Sequence, residues 1–267
     1  MKTIITGTDF TPSSINACRY AAFLAEKLNC KLTIFNMFEA PIIHSNMGLF
    51  GISYTTQRKV SENKAAKLIS DLQKLFPKIK INELVTSGSF KNELENYTNA
   101  HQVELMVMGL AAKDRISKFI YGSRGVNIAG KINCPVVIVP EKYTKHKLST
   151  VLLAVDNNEK LYKSSLKGFE KFLQKSKAKL NLLHIRTENE VFDPVMKTIK
   201  INGEKLPISV INARDMQDGM KKCCAPGKVD LVTIISKEHS VFYNLFVESN
   251  TKKVAFVAKV PVMAIHE

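Results

Sequence analysis

The sequence predicts two tandem α/β domains, each a doubly wound, three-layer sandwich around a five-stranded parallel sheet. Three observations predict it. Short, nearly continuous apolar runs alternate with longer segments of helical period, the pattern of parallel strands covered on both faces. Four sequence blocks recur in the same order in the two halves of the chain, which marks a duplication. The chain has 267 residues, 45% of them hydrophobic, enough for two ordinary domains with proper cores.

In the first copy the strands are expected at Thr3–Thr8, Lys31–Phe38, Lys80–Thr86, Val103–Met108 and Pro135–Val139. Helices fit between them, near Pro12–Asn29, Thr56–Phe76, Lys91–Ala100 and Ser123–Ile132. Pro12 suits a first helical turn, with Thr11 or Ser13 as its cap. Ala21, Ala22, Leu24, Ala25 and Leu28 form the apolar stripe of that helix. The apolar segment Ala40–Tyr54 reads as an extra loop of the first copy that covers a pocket, packs on the other domain or meets a partner.

The second copy repeats the plan. KTIITGTDF from Lys2 answers STVLLAVDN from Ser149, both ending in an aspartate (Asp9, Asp156) before a helical segment. KLTIFNMFE from Lys31 answers KLNLLHIRTE from Lys179, VELMVMGL from Val103 answers VDLVTIIS from Val229, and CPVVIVPE from Cys134 answers VPVMAIHE from Val260. The polar stretch Pro140–Leu148 reads as the linker, giving domains at 1–143 and 148–267.

Composition excludes several classes. The formal net charge is +15, but the excess is +9 in residues 1–147 and +6 in 148–267, and no basic run is interleaved with aromatics. That argues against nucleic acid as the partner and for solvated helix faces. No apolar stretch approaches the length of a membrane span, and no secretory signal begins the chain, so a cytoplasmic location is expected. The five cysteines (18, 30, 134, 223 and 224) show no CxxC spacing, against both a disulfide framework and a zinc site. The six histidines show no metal-ligand spacing; His184, ending a strand of the second copy, has no partner evident in the sequence. Neither GxxxxGK[ST] nor GxGxxG occurs, and no GxSxG elbow or base for Ser123 is found.

In an open parallel sheet, ligands gather outside the carboxyl ends of strands where the strand order reverses. Thr8 and Asp9 follow the first strand, and Gly109 ends the fourth. Gly109 can let backbone come close to a ligand, Asp9 can accept from a ribose hydroxyl, and Gly122-Ser123 opens a helix whose free N–H groups suit phosphate. Arg124 or Arg115 can add charge-assisted contacts.

Asp9, the frame Gly109-x2-Ala112-x9-Gly122-Ser123 and CPVVIVP together resemble the universal stress protein family, whose ATP-binding members carry Gly-x2-Gly-x9-Gly-Ser/Thr after the fourth strand. The resemblance implies strand order 3-2-1-4-5 (the adenine nucleotide alpha hydrolase-like fold), a pseudo-dimer of the two halves within the chain, and a homodimer or other protein partners as further options. It implies an adenine nucleotide (ATP, or ADP or AMP, with or without Mg2+) held by Thr8, Asp9, Met37, Gly109, Ala112, Gly122, Ser123 and Arg124. Ala112 departs from the second motif glycine; its methyl would cost about 1 kcal/mol, roughly fivefold in affinity. The second copy places Ile235, Glu238 and Glu248 at the three glycine positions and keeps only Ser249 and Asp156, so no ATP is expected there. At most a slow ATPase is expected, since no second carboxylate, catalytic lysine or arginine finger accompanies Asp9. The competing reading is a nucleotide-free tandem protein that binds protein partners or another small ligand.

Overall fold

The computed structural model describes residues 1–38, 47–110, 134–155, 162–187, 197–224, 227–236 and 259–266. The chain divides into two compact units, Met1–Cys134 and Pro135–Glu267.

The first unit runs β1 (Thr3–Thr8), α1 (Pro12–Leu28), β2 (Lys31–Phe38), α2 (Met47–Leu75), β3 (Ile81–Ser87), α3 (Phe90–Ala100) and β4 (Val103–Leu110). Its strands are parallel in the order β3-β2-β1-β4, so β1 and β4, distant in sequence, lie side by side. β1, β2 and β4 are almost wholly buried, whereas β3 at the edge is half-exposed. The side chains of Thr6 and Thr8 meet α1, at Cys18 and Ser14. Residues one register position away face the other layer: Phe35 meets Phe90 edge-on at 5.2 Å, and Thr33 bonds Tyr97 of α3 at 2.8 Å.

Thr11 caps α1, accepting from Ser14 N, and Pro12 opens it. Asn29 ends it in the left-handed conformation (φ 53°), its N–H bonded to the carbonyls of Ala25 and Glu26. Lys177 takes the same conformation (φ 53°) after the equivalent helix of the second unit. α2 starts at Met47, so part of the segment expected to be a loop is helical. Gly48 and Gly51, each costing about 1 kcal/mol in a helix interior, obscured that in the sequence. Tyr54 docks its ring on Phe38 (5.1 Å) and its hydroxyl on Ser87, fixing the start of α2 to the sheet. Residues 39–46, and the helix expected at Ser123–Ile132, lie outside the described residues.

The second unit contains β5 (Val136–Pro140), β6 (Thr150–Ala154), α4 (Tyr162–Ser176), β7 (Lys179–Thr187), β8 (Thr198–Ile201), β9 (Glu204–Ala213), α5 (Met216–Cys223), β10 (Leu231–Ser236) and β11 (Val262–His266). The strand order is β5-β11-β10-β6-β7-β9-β8. Within it, β9-β7-β6-β10-β11 is the 3-2-1-4-5 sheet, all parallel. β5, the fifth strand of the first sequence copy, joins this unit by pairing antiparallel with β11. Between β5 and β6 the chain is less solvated than its polar composition suggests: Tyr143 and Leu148 are buried.

β8 was not foreseen. It forms an antiparallel hairpin with β9 about Asn202-Gly203, both at positive φ (51° and 85°). Asn-Gly is the sequence signature of such a turn, and it was present between two β-rich runs.

Each unit has an acid at the start of the fourth strand of its sequence copy, close to the start of that copy's first strand. Glu104 binds Lys2 at 2.8 Å, beside the beginning of β1. Asp230 accepts from Ser149 N (2.8 Å) and Thr150 N (2.9 Å), and Lys147 lies 3.6 Å away.

Candidate functional site

The carboxyl end of β1 passes into α1 through a compact polar turn. Thr8, fully buried, uses its hydroxyl twice, with Ser14 Oγ at 3.1 Å and as acceptor from Phe10 N at 3.0 Å. Asp9 Oδ1 accepts from Thr11 N (3.1 Å) and Thr11 Oγ1 (2.6 Å). These bonds take two of the roughly four acceptor positions a carboxylate offers. Phe10 is consequently held at positive φ (60°), its ring 5.7 Å beneath Lys64 Nζ of α2. The turn orients the Asp9 carboxylate and fastens it to the first residues of α1.

Gly109 lies at the adjoining end of β4. A Cβ there would sit 2.6 Å from the Ser13 carbonyl carbon, closer still to its oxygen, and 3.0 Å from Ser14 N. The space left by the missing side chain is therefore occupied by the backbone of α1. Glycine at this position lets the helix rest directly on the strand, in space that was expected to serve the close approach of a ligand. Close seating brings the N-terminus of α1, Asp9 and the end of β4 together.

Met37, next to last in β2, is partly buried and in register with Thr86 of β3. The residue before it, Asn36, is only 3% exposed, and its Nδ2 donates to the Thr8 carbonyl at 2.8 Å. Its Oδ1 has no hydrogen-bond partner among the described residues. Asn36 was missed in the sequence, although a buried amide in an otherwise apolar strand is a usable signal.

The equivalent position in the second unit is His184, also 3% exposed, whose Nδ1 lies 3.0 Å from the Val155 carbonyl. Val155 matches Thr8. A carbonyl only accepts, so Nδ1 carries the proton. His184, apparently partnerless in the sequence, thus shares with Asn36 the task of holding the carbonyl that precedes the aspartate.

The first unit therefore brings Thr8, Asp9, Gly109 and Met37 to one end of the sheet. Ala112, Gly122, Ser123 and Arg124, with Arg115, lie outside the described residues, as do Asp156, Glu238, Glu248 and Ser249 of the second copy. In the second unit Ile235, largely buried, stands where Gly109 stands in the first. Among the described residues no group of three or more His, Cys, Asp or Glu could hold a metal ion, and no helix is long and apolar enough to cross a membrane.

Comparison with known proteins agrees with this architecture. A universal stress protein from Archaeoglobus fulgidus DSM 4304 superposes with TM-score 0.66 over 99% of this chain and 96% of its own, at 12% identity. A putative universal stress protein from Pseudomonas aeruginosa UCBPP-PA14 gives TM-score 0.56, covering 100% of this chain and 93% of its own at 9% identity. At these identities the likeness concerns the fold. A shorter universal stress protein, crystallised in complex with cAMP, matches 54% of this chain and 98% of its own at 22% identity and TM-score 0.37; the ligand is a property of that protein. No curated protein matches the chain. The sequence profile of the universal stress protein family matches residues 1–140, which contain the β1 turn, Asn36 and Gly109. With that match and the tandem fold, the chain belongs to the universal stress protein family.

Proposed function

We propose that this protein binds an adenine nucleotide, ATP in the first instance, in its N-terminal half only, and that occupancy serves as a cytoplasmic stress-response signal. One observation carries the reading: Asp9 is fixed by its own turn beside Gly109, where the carboxyl ends of β1 and β4 meet. That is where an open parallel sheet receives ligands. Ala112, Gly122, Ser123 and Arg124 complete the site in this proposal, with helix N–H groups at Gly122-Ser123 facing the phosphates. The second half is proposed to stay empty, because Glu248 would repel phosphate at the position of Gly122.

The role proposed is binding, with at most slow hydrolysis, since the sequence pattern pairs Asp9 with no second carboxylate, catalytic lysine or arginine finger of the kind phosphoryl transfer uses. A ligand that binds only the native form stabilises it, which couples occupancy to a readable change. The alternative, a nucleotide-free interaction protein, is favoured by Ala112 alone. Calorimetric titration of ATP into the full chain, with and without Mg2+, separates the two. The proposal expects micromolar binding at one site per chain, lost in Gly122→Glu, which copies the second half. No binding to the wild-type chain would establish the alternative.

A further inference from the structure

Two thiols outside the nucleotide site form a pair. Cys223 is the last residue of α5 and Cys224 caps it, its N–H donating to the Met220 carbonyl at 3.0 Å. Their sulfurs lie 3.8 Å apart, and Cys223 Sγ also reaches the Met220 carbonyl at 3.4 Å. The two differ in access: Cys223 is half-buried, Cys224 only 5% exposed. Cys18, Cys30 and Cys134 are all buried in the other unit.

We propose that Cys223 and Cys224 are a peroxide-reactive dithiol that closes to a vicinal disulfide. The Cys223 thiolate attacks one oxygen of hydrogen peroxide, forming Cys223–SOH and releasing hydroxide. The Cys224 thiol then displaces that hydroxyl, forming the S–S bond and releasing water. The two sulfurs together lose two electrons, and the two peroxide oxygens gain them.

The environments suit this order. The hydrogen bond from Cys224 lowers the Cys223 thiol below its ordinary range, while the same contact and burial raise Cys224. The accessible sulfur is thus the nucleophile and the buried one keeps its proton for the second step. Burial pushes the Cys18 and Cys134 thiols up to about 12, so neither competes. The pair also sits at the end of α5, with Cys223 the more accessible of the two. At the middle of α5, Gly219 rests against Ile185 of β7, so a Cβ there would lie 3.0 Å from Ile185 Cδ1. Consecutive Cα atoms are about 3.8 Å apart, below the usual ~4.4–6.8 Å for a disulfide, so the ring is strained and readily reduced again.

The test treats the full chain with hydrogen peroxide, alkylates free thiols, digests with trypsin and weighs the peptides. The peptide Cys223–Lys228 is expected unalkylated and lighter by two hydrogens, and restored by dithiothreitol. Cys18, Cys30 and Cys134 are expected to remain alkylatable, reacting at least about tenfold more slowly, because the thiolate is the nucleophile. In Cys224→Ser, Cys223 should stop at the sulfenic acid and be trapped by dimedone; in Cys223→Ser, Cys224 should stay reduced. Wild-type Cys223 oxidised while Cys224 remains a free thiol, a disulfide between chains, or equal oxidation of the core cysteines would each overturn the proposal. Should a serine variant fail to fold, the wild-type peptide masses alone decide.

Discussion

A methyl group at position 109 would collide with the backbone of Ser13 and Ser14, and neither a rotamer change nor solvent can relieve it. The helix would have to lift from β4 or the strand bend. Overpacking of this kind costs typically about 1–3 kcal/mol. Gly109→Ala is therefore expected to lower stability by roughly that amount, read from the shift of the urea midpoint at constant m-value. An unchanged midpoint would mean that α1 does not rest on β4 as described. At the same scale, Asn36 and His184 solve one problem with different chemistry. Each lies against a carbonyl at the carboxyl end of a strand, Thr8 of β1 at 2.8 Å and Val155 just after β6 at 3.0 Å. That carbonyl emerges where the chain leaves the ladder, and a buried carbonyl without a partner is costly.

Among the elements, the starts of β6 and β10 are joined by one carboxylate. Asp230 is buried and receives two backbone N–H groups, those of Ser149 and Thr150. Hydrogen bonds to a charged group contribute about 1.5–3 kcal/mol, and unsatisfied donors add their desolvation cost. Asp230→Ala should destabilise the second unit by about 3 kcal/mol or more, with early loss of amide protection at Ser149 and Thr150 in hydrogen exchange. Protection equal to wild type would refute the assignment.

The elements that were legible in the sequence share a physical cause. β1, β2 and β4 are buried on both faces, so their composition is continuous and apolar, and α1 carries its cap, proline and stripe in the residues themselves. The early start of α2 was hidden because Gly48 and Gly51 weaken local propensity, which packing of Tyr54 overrides. Thr8, Asp9 and Gly109 could be placed together from the strand order that the family resemblance implied. The packing role of Gly109 could not, because it depends on the backbone of a helix distant in sequence. The Asn36 amide required knowing which carbonyl lay opposite. The β8–β9 hairpin was readable from Asn202-Gly203 and was overlooked because the repeat pattern held no counterpart.

At the scale of the whole molecule, burial of weak acids gives stability a defined dependence on alkaline pH. Cys18 and Cys134 are each raised to about 12 from 9.0 by burial. Tyr143 is raised to about 12 from 10.0, by burial first and then by the charge of Asp230. In each case the folded state holds the proton more tightly than the unfolded one. The associated stability is complete below the unfolded value and is lost as pH rises toward 12. Urea midpoints should therefore hold steady up to about pH 8.5 and fall progressively above pH 9, less steeply in Cys18→Ala than in wild type. A slope unchanged by that substitution would contradict the burial assigned to Cys18.

In the proposed function the two copies of one fold have parted, the first holding an adenine nucleotide and the second holding none. Hydrogen exchange of the full chain, with and without saturating ATP, tests this most directly, because both copies are read in one sample. The account predicts added protection in the segments around Thr8–Ser14 and Asn36–Phe38, and none around Val155 or His184. Equal protection in both copies, or protection confined to the second, would contradict it.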